Sequence, residues 1–208
     1  MNPSIDLRDV SRRQFCYCHI DGLAELIMGL LWVLWGGASL FGQTLPHNWV
    51  WKVYWLIVSI ALSLSGFAGS WATRRLRERI TYPRAGYAVL HAPSRRQRAG
   101  VAAFIIVIAL FCAVVILYSS SLNMDRLAAP GLTVILSLGL VAIAVRDHMP
   151  HMFAVAGAAI ALGATASSLF VGWEAASWFL VGLGLVCAAV GGFRTRHFLN
   201  THPMEAAN

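Results

Sequence analysis

Six long apolar runs constrain this chain more than any other feature of its sequence. An α-helix rises about 1.5 Å per residue, so about 20 apolar residues cross the roughly 30 Å hydrocarbon core of a bilayer. Charged residues make up only 12% of the chain, whereas soluble domains carry about 25%. The sequence therefore predicts a polytopic membrane protein. Its predicted spans lie at about 22–42, 49–73, 101–119, 128–145, 152–171 and 176–193.

The predicted fold class is all-α. Only helices and closed barrels satisfy their backbone hydrogen bonds in lipid, and the apolar runs lack the alternating pattern of barrel strands. We expect one transmembrane domain at 20–198, a bundle of six helices with an Arg-rich loop at 74–100. A short N-terminal segment, 1–19, and a tail, 199–208, flank the bundle.

The basic residues predict the orientation of the bundle. With the N-terminus in the cytoplasm, 14 of the 16 Lys and Arg residues fall inside, and only Lys52 and Arg126 fall outside. The positive-inside rule then places both termini in the cytoplasm and the protein in the inner membrane. The net charge of +7 does not indicate nucleic-acid binding, because the basic residues lie between spans.

Small residues at helical spacing predict where the helices pack, because association in lipid depends on close backbone approach. The first span carries Gly22, Gly29 and Gly36, each seven residues from the next. The last span carries Gly184, Ala188 and Gly192 in one row. Glycine seams of this kind also suit self-association, so a homo-oligomer is possible.

Asp21 and Glu25 are the acidic residues placed to enter the membrane, and they share one face of the first helix. For Asp21 we expect a helix cap, whose carboxylate accepts hydrogen bonds from the first amides. Glu25 needs a partner or a proton within the span. We expect an ion pair with an arginine of the 74–98 loop, Arg84 in particular; a role in binding a proton or substrate is the alternative.

The loop after the second span is the most distinctive cytoplasmic stretch. Basic residues near an anionic leaflet are each attracted by about 1 kcal/mol, so the loop suits lipid or partner contact. Pro83 favours an extended residue before it and Gly86 permits a positive φ, which indicates a shaped turn. The predicted contact residues are Arg74, Arg75, Arg77, Arg79, Tyr82, Pro83, Arg84, Gly86 and Tyr87.

Two short elements resemble those of an uncharacterised group of small bacterial multi-span membrane proteins. The first is Asp21-Gly22-Leu23-Ala24-Glu25-Leu26, and the second runs from Ile80-Thr81-Tyr82-Pro83 to Arg84-Ala85-Gly86-Tyr87. The similarity covers the first ninety residues or so, and beyond them only the hydropathy and the final basic segment. It implies a bacterial membrane protein and supplies no mechanism.

Three classes of function remain open, and none requires a cofactor. We expect a non-enzymatic protein that binds a partner protein or anionic lipid through its Arg-rich face, since nucleotide, zinc-protease and nucleophile-elbow motifs are absent from the sequence. The alternative is a small channel or transporter with Glu25 as its polar site. The third is a metal-handling protein. Its candidate ligands are Cys16, Cys18, His19, His148 and His151, whose spacing is not that of a zinc finger.

Overall fold

In a computed structural model, residues 21–81, 124–146 and 149–202 are described. Of these residues 92% are helical and none lies in a strand, which confirms the all-α class for this part of the chain. The third predicted span, 101–119, lies outside the described residues. The helices are α1 (Leu23–Thr44), α2 (Trp49–Leu76, continued by a π-helical segment Arg77–Thr81), α3 (Met124–Arg146), α4 (Pro150–Leu169) and α5 (Trp173–Thr201).

Four of the described helices are long and apolar enough to cross a membrane. They are α1, α4, α5 and α2 with its π-helical segment; the apolar part of α3 is shorter, Ala129–Val145. The last helix extends further than the predicted span of 176–193, and ends at Thr201. Its final turns continue because they are packed against the bundle: Phe198 is buried, and Arg194 meets a buried carboxylate of α1.

The closest backbone approach between the described helices is a glycine seam between α1 and α5, which run antiparallel. A Cβ on Gly29 would meet the backbone of α5, with the Gly184 oxygen at 2.6 Å and the Ala188 nitrogen closer still. A Cβ on Gly36 would lie 2.6 Å from the Ser177 oxygen. The absence of side chains at these positions therefore sets how close the two helix axes come.

The prediction of Gly192 as a seam residue of the last helix is wrong. On α5 the residue that faces α1 is Gly191, where a Cβ would lie 2.8 Å from the Gly22 oxygen, whereas Gly192 meets only Leu26 at 3.9 Å. The reason is helical geometry. With 3.6 residues per turn, positions 184, 188 and 191 stay on one face, while position 192 turns away from it.

The second half of the described bundle packs α3 and α4 against the other face of α5. Its core includes Ala159, Phe179 and Leu183, each at most 1% exposed. The α3–α4 pair is antiparallel, since Thr133 contacts Gly163 and the amide of Met149 reaches the Ala144 oxygen. These contacts hold α3 and α4 together. Helix α4 also packs against α5, and α5 carries α1 on its opposite side.

The ends of the helices are sorted between the two ends of the bundle. At one end α1 and α4 begin while α2, α3 and α5 finish. The contacts there between side chains of residues 21, 77, 151 and 194, and of Glu25, show that these helix ends lie together. At the other end, Ala129 of α3 packs against Ala175 and Ala176 near the start of α5. The chain thus leaves α2 at one end of the bundle and enters α3 at the opposite end.

Candidate functional site

A buried polar cluster occupies the end of the bundle where α1 begins and α5 finishes. Asp21, Glu25 and Thr81 are buried there, so their polar groups depend on protein partners. Its members come from α1, the π-helical segment, α4 and α5, together with the residue two positions before α1. The polar cluster consists of Asp21, Glu25, Arg77, Thr81, His151, Arg194 and Thr195.

Asp21 is at the centre of one half of the polar cluster and is 1% exposed. Its Oδ2 accepts from Arg77 Nε at 2.9 Å and from Thr81 Oγ1 at 3.0 Å. Its Oδ1 accepts from the amide of Leu23 at 3.3 Å, as expected of a carboxylate at the helix start, but the N-cap position itself is Gly22 and not Asp21. Asp21 therefore binds the start of α1 from one position before the cap, and also joins it to the end of α2.

The cap has an additional feature that the sequence did not predict. The residue directly before α1 is Gly22, which has a φ of 67° and makes no side-chain cap of its own. A Cβ at Gly22 would also meet the Gly191 oxygen at 2.5 Å. Glycine is thus required twice here, for the left-handed backbone and for the approach of α5.

The π-helical segment positions the partners of Asp21. Backbone hydrogen bonds in a π-helix join residues five apart, and such segments occur frequently at functional sites. In this one, the residues at the two ends, Arg77 and Thr81, both reach the Asp21 carboxylate. The structure thereby joins the two sequence elements that carry the resemblance, since Thr81 belongs to the second and Asp21 to the first.

Glu25 is at the centre of the other half, with a side chain that is 5% exposed. Its Oε1 accepts from Arg194 Nη1 at 2.8 Å and lies 3.4 Å from His151 Nε2. An ion pair was predicted for Glu25, and the structure supplies one from α5. Arg84, the expected partner, lies outside the described residues.

Thr195 connects the two halves through the backbone. Its Oγ1 lies 2.7 Å from the Asp21 carbonyl oxygen and 2.9 Å from that of Gly191. Arg194, the residue before Thr195, donates to Glu25 one turn further into the bundle. The end of α5 is thus bonded to the beginning of α1 at two successive levels.

Sequence reasoning did not identify Arg194 and Thr195 as members of a site. The available signal was the position of Arg194, which is the first charged residue after the last apolar run and therefore reaches the depth of Glu25. His151 was considered only as a weak metal ligand. The structure places its imidazole against Arg194 and Glu25 instead.

The remaining arginines of α2 and α5 at this end point outward. The side chains of Arg74 and Arg75 are 80% and 60% exposed, and both lie near Glu78, at 3.2 and 4.0 Å. The Arg75 guanidinium also lies 5.7 Å from the centre of the exposed Trp71 ring, a cation–π contact. Arg79 and Arg196 are exposed as well. Tyr82, Pro83, Gly86 and Tyr87 lie outside the described residues.

The described residues contain no group of three or more side chains that suits a metal ion. Cys16, Cys18, His19 and His148 lie outside them. For this chain, neither a protein-family model nor a curated protein nor a solved structure was found to match. The resemblance to bacterial multi-span proteins therefore stays a prediction.

Proposed function

We propose that this protein is a six-span, non-enzymatic protein of the bacterial inner membrane that binds anionic lipid at its Arg-rich cytoplasmic end. The span count rests on where the described helices start and finish. Because α2 ends at the polar-cluster end and α3 begins at the opposite end, the positions of these two helices support one further span between them, the one that the sequence predicts at 101–119. The 42 positions from 82 to 123 are enough for one span and too few for three, which need about 60 residues.

The lipid-binding proposal rests on one observation: the arginines at this end fall into two groups with different surroundings. Arg77 and Arg194 are turned inward, 15% and 25% exposed, and each neutralises a buried carboxylate. Arg74, Arg75, Arg79 and Arg196 are exposed around them. Of these six described arginines, those of the second group are positioned to meet lipid headgroups.

Trp71 supports the same assignment. Tryptophan is enriched at membrane–water interfaces, and Trp71 is exposed one turn before Arg75. Their cation–π contact holds an apolar ring and a guanidinium side by side, as an interface requires. An anionic headgroup bound to Arg75 would thus lie at the depth where the ring enters the acyl region.

Glu25 fits a structural clamp better than a transport site. Its carboxylate is held by Arg194, and the core of α5 further along the bundle is apolar, with Cys187, Leu183 and Phe179 buried in succession. A transport path would need polar groups directly beyond Glu25, where these three side chains of α5 are apolar; the next buried polar residue of α5 is Ser177, near the opposite end of the helix. The clamp joins α1 to α5 and thereby holds the end of the bundle on which the exposed arginines lie.

Native mass spectrometry of the delipidated full-length protein tests the proposal. Phosphatidylglycerol and phosphatidylcholine are titrated separately into the detergent-solubilised wild type, Arg75→Gln and Lys52→Gln. Lys52→Gln is the matched control, since Lys52 is exposed and its substitution removes one positive charge from the opposite end of α2. One basic contact contributes about 1 kcal/mol, so Arg75→Gln should weaken phosphatidylglycerol binding about fivefold.

The proposal requires that Lys52→Gln and phosphatidylcholine binding stay unchanged. Equal losses in the two variants would show that only net charge matters and would contradict a site at this end. A co-purifying protein lost in Arg75→Gln, with lipid binding intact, would instead make this face a protein-binding surface.

A further inference from the structure

The Arg194 guanidinium lies between Glu25 and His151, and this position determines the protonation state of His151. Its Nη1 is 2.8 Å from Glu25 Oε1 and 2.7 Å from His151 Nε2. A guanidinium can only donate hydrogen bonds. His151 Nε2 must therefore carry a lone pair, so the imidazole is neutral and its proton is on Nδ1.

In this state Glu25 and His151 are neighbours without a hydrogen bond between them. Glu25 Oε1 and His151 Nε2 are 3.4 Å apart, and both are acceptors. The second carboxylate oxygen, Oε2, is buried and has no hydrogen-bond partner among the described residues. An unsatisfied carboxylate oxygen is costly in a buried site, so the cluster has an acceptor available for one more donor.

We propose that Glu25, His151 and Arg194 form a proton-binding site in which protonation of His151 moves its hydrogen bond from Arg194 to the Glu25 carboxylate. The proton adds to the Nε2 lone pair. The hydrogen bond from Arg194 to that nitrogen is then lost, because both groups are donors. The new N–H donates to Glu25, whose Oε2 is free to receive it.

The surroundings of His151 act on its protonation in both directions. Burial opposes the imidazolium most, and the charge of Arg194 from α5 opposes it too, whereas the hydrogen bond and charge of Glu25 from α1 favour it; these are the charged groups that face it among the described residues. The amides at the start of α4 also oppose the imidazolium, since His151 is the second residue of that helix. Asp21, one turn before Glu25, is occupied by Arg77 and Thr81 and takes no part.

Water can deliver the proton to His151 but not directly to Glu25. The His151 side chain is 27% exposed and that of Arg194 is 25% exposed, whereas Glu25 is 5% exposed. The histidine is thus the entry point. The result is a change in helix pairing: α4 is bonded through His151 to α5 when the imidazole is neutral, and to α1 when it is protonated, while Arg194 keeps its bond to Glu25. This reaches beyond lipid binding, because it couples the bundle to pH.

Nitrogen-15 NMR of the histidine-labelled, full-length protein in detergent micelles tests the assignment directly. The His151 signals are identified by their loss in His151→Gln, or by substituting the other histidines if that variant does not fold. At about pH 8 His151 should be the Nδ1–H tautomer, and it should gain a second proton as the pH falls towards about 5. An Nε2–H tautomer at pH 8, or a neutral ring at pH 5, would overturn the proposal.

Stability against SDS at the same two pH values tests the coupling, with His197→Gln as the matched control, because His197 is exposed on α5. We expect the wild type and His197→Gln to share a pH-dependent change in unfolding midpoint, and His151→Gln to lose that change. If His151→Gln keeps the whole change, protonation of His151 does not alter helix pairing.

Discussion

The glycine seam between α1 and α5 gives the sharpest prediction, because one helix carries both the test position and its control. Gly29→Ala places a methyl group against backbone atoms, with the Gly184 oxygen at 2.6 Å and the Ala188 Cα at 2.9 Å. Gly37→Ala, two turns further on, meets nothing within 4 Å. Both substitutions exchange glycine for alanine in the same helix, so the gain in helix propensity, about 1 kcal/mol, is common to them.

The magnitude follows from the separation that Gly29→Ala requires. Carbon atoms pack at about 3.5 to 4.0 Å, so α1 and α5 must move apart by roughly 0.6 to 1 Å. A gap of this size forfeits about a quarter to a half of each dispersion contact, and the neighbouring contacts of Gly22 and Gly36 loosen too. Because the obstacle is backbone, the cost lies near the upper part of the usual overpacking range, about 2 to 3 kcal/mol.

The assay is unfolding by SDS from mild-detergent micelles, followed by tryptophan fluorescence. With the propensity gain included, Gly29→Ala should lower the free energy of unfolding by about 1 to 2 kcal/mol, whereas Gly37→Ala should raise it by up to about 1 kcal/mol. Equal free energies for the two variants would refute the seam as the determinant of helix approach.

Two further predictions concern the polar cluster and use the same unfolding assay. Asp21→Asn removes the ion pair between Asp21 and Arg77 and should cost about 3 kcal/mol, whereas Thr81→Val removes only one hydrogen bond to the carboxylate and should cost about 1.5 to 3 kcal/mol. A larger loss for Thr81→Val would contradict the ion pair. Glu25→Gln and Arg194→Gln should each destabilise by about 3 kcal/mol, but together by less than the sum, because each single change leaves one buried charge unpaired; strict additivity in this double-mutant cycle would show that the two do not interact.

Several features of this bundle follow from the sequence alone, because they depend on local chemistry. The apolar runs determined helices at the positions of α1, α2, α3, α4 and α5, since a chain without charge over 20 residues has few other ways to satisfy its backbone. The spacing of Gly22, Gly29 and Gly36 determined one packing face. Asp21 before the first helix determined its own role at the helix start, because the first amides need an acceptor.

Tertiary structure decided which groups meet. Nothing local relates Glu25 to Arg194, which is 169 residues away, or to His151 on a third helix. Their meeting depends on the antiparallel register of α1 and α5. That register depends on the close backbone contacts of the glycine seam. The choice between Gly191 and Gly192 shows the same limit, because a rotation of one residue exchanges the buried face for the exposed one. Sequence thus defines the surfaces, and only the packed helices define the pairs.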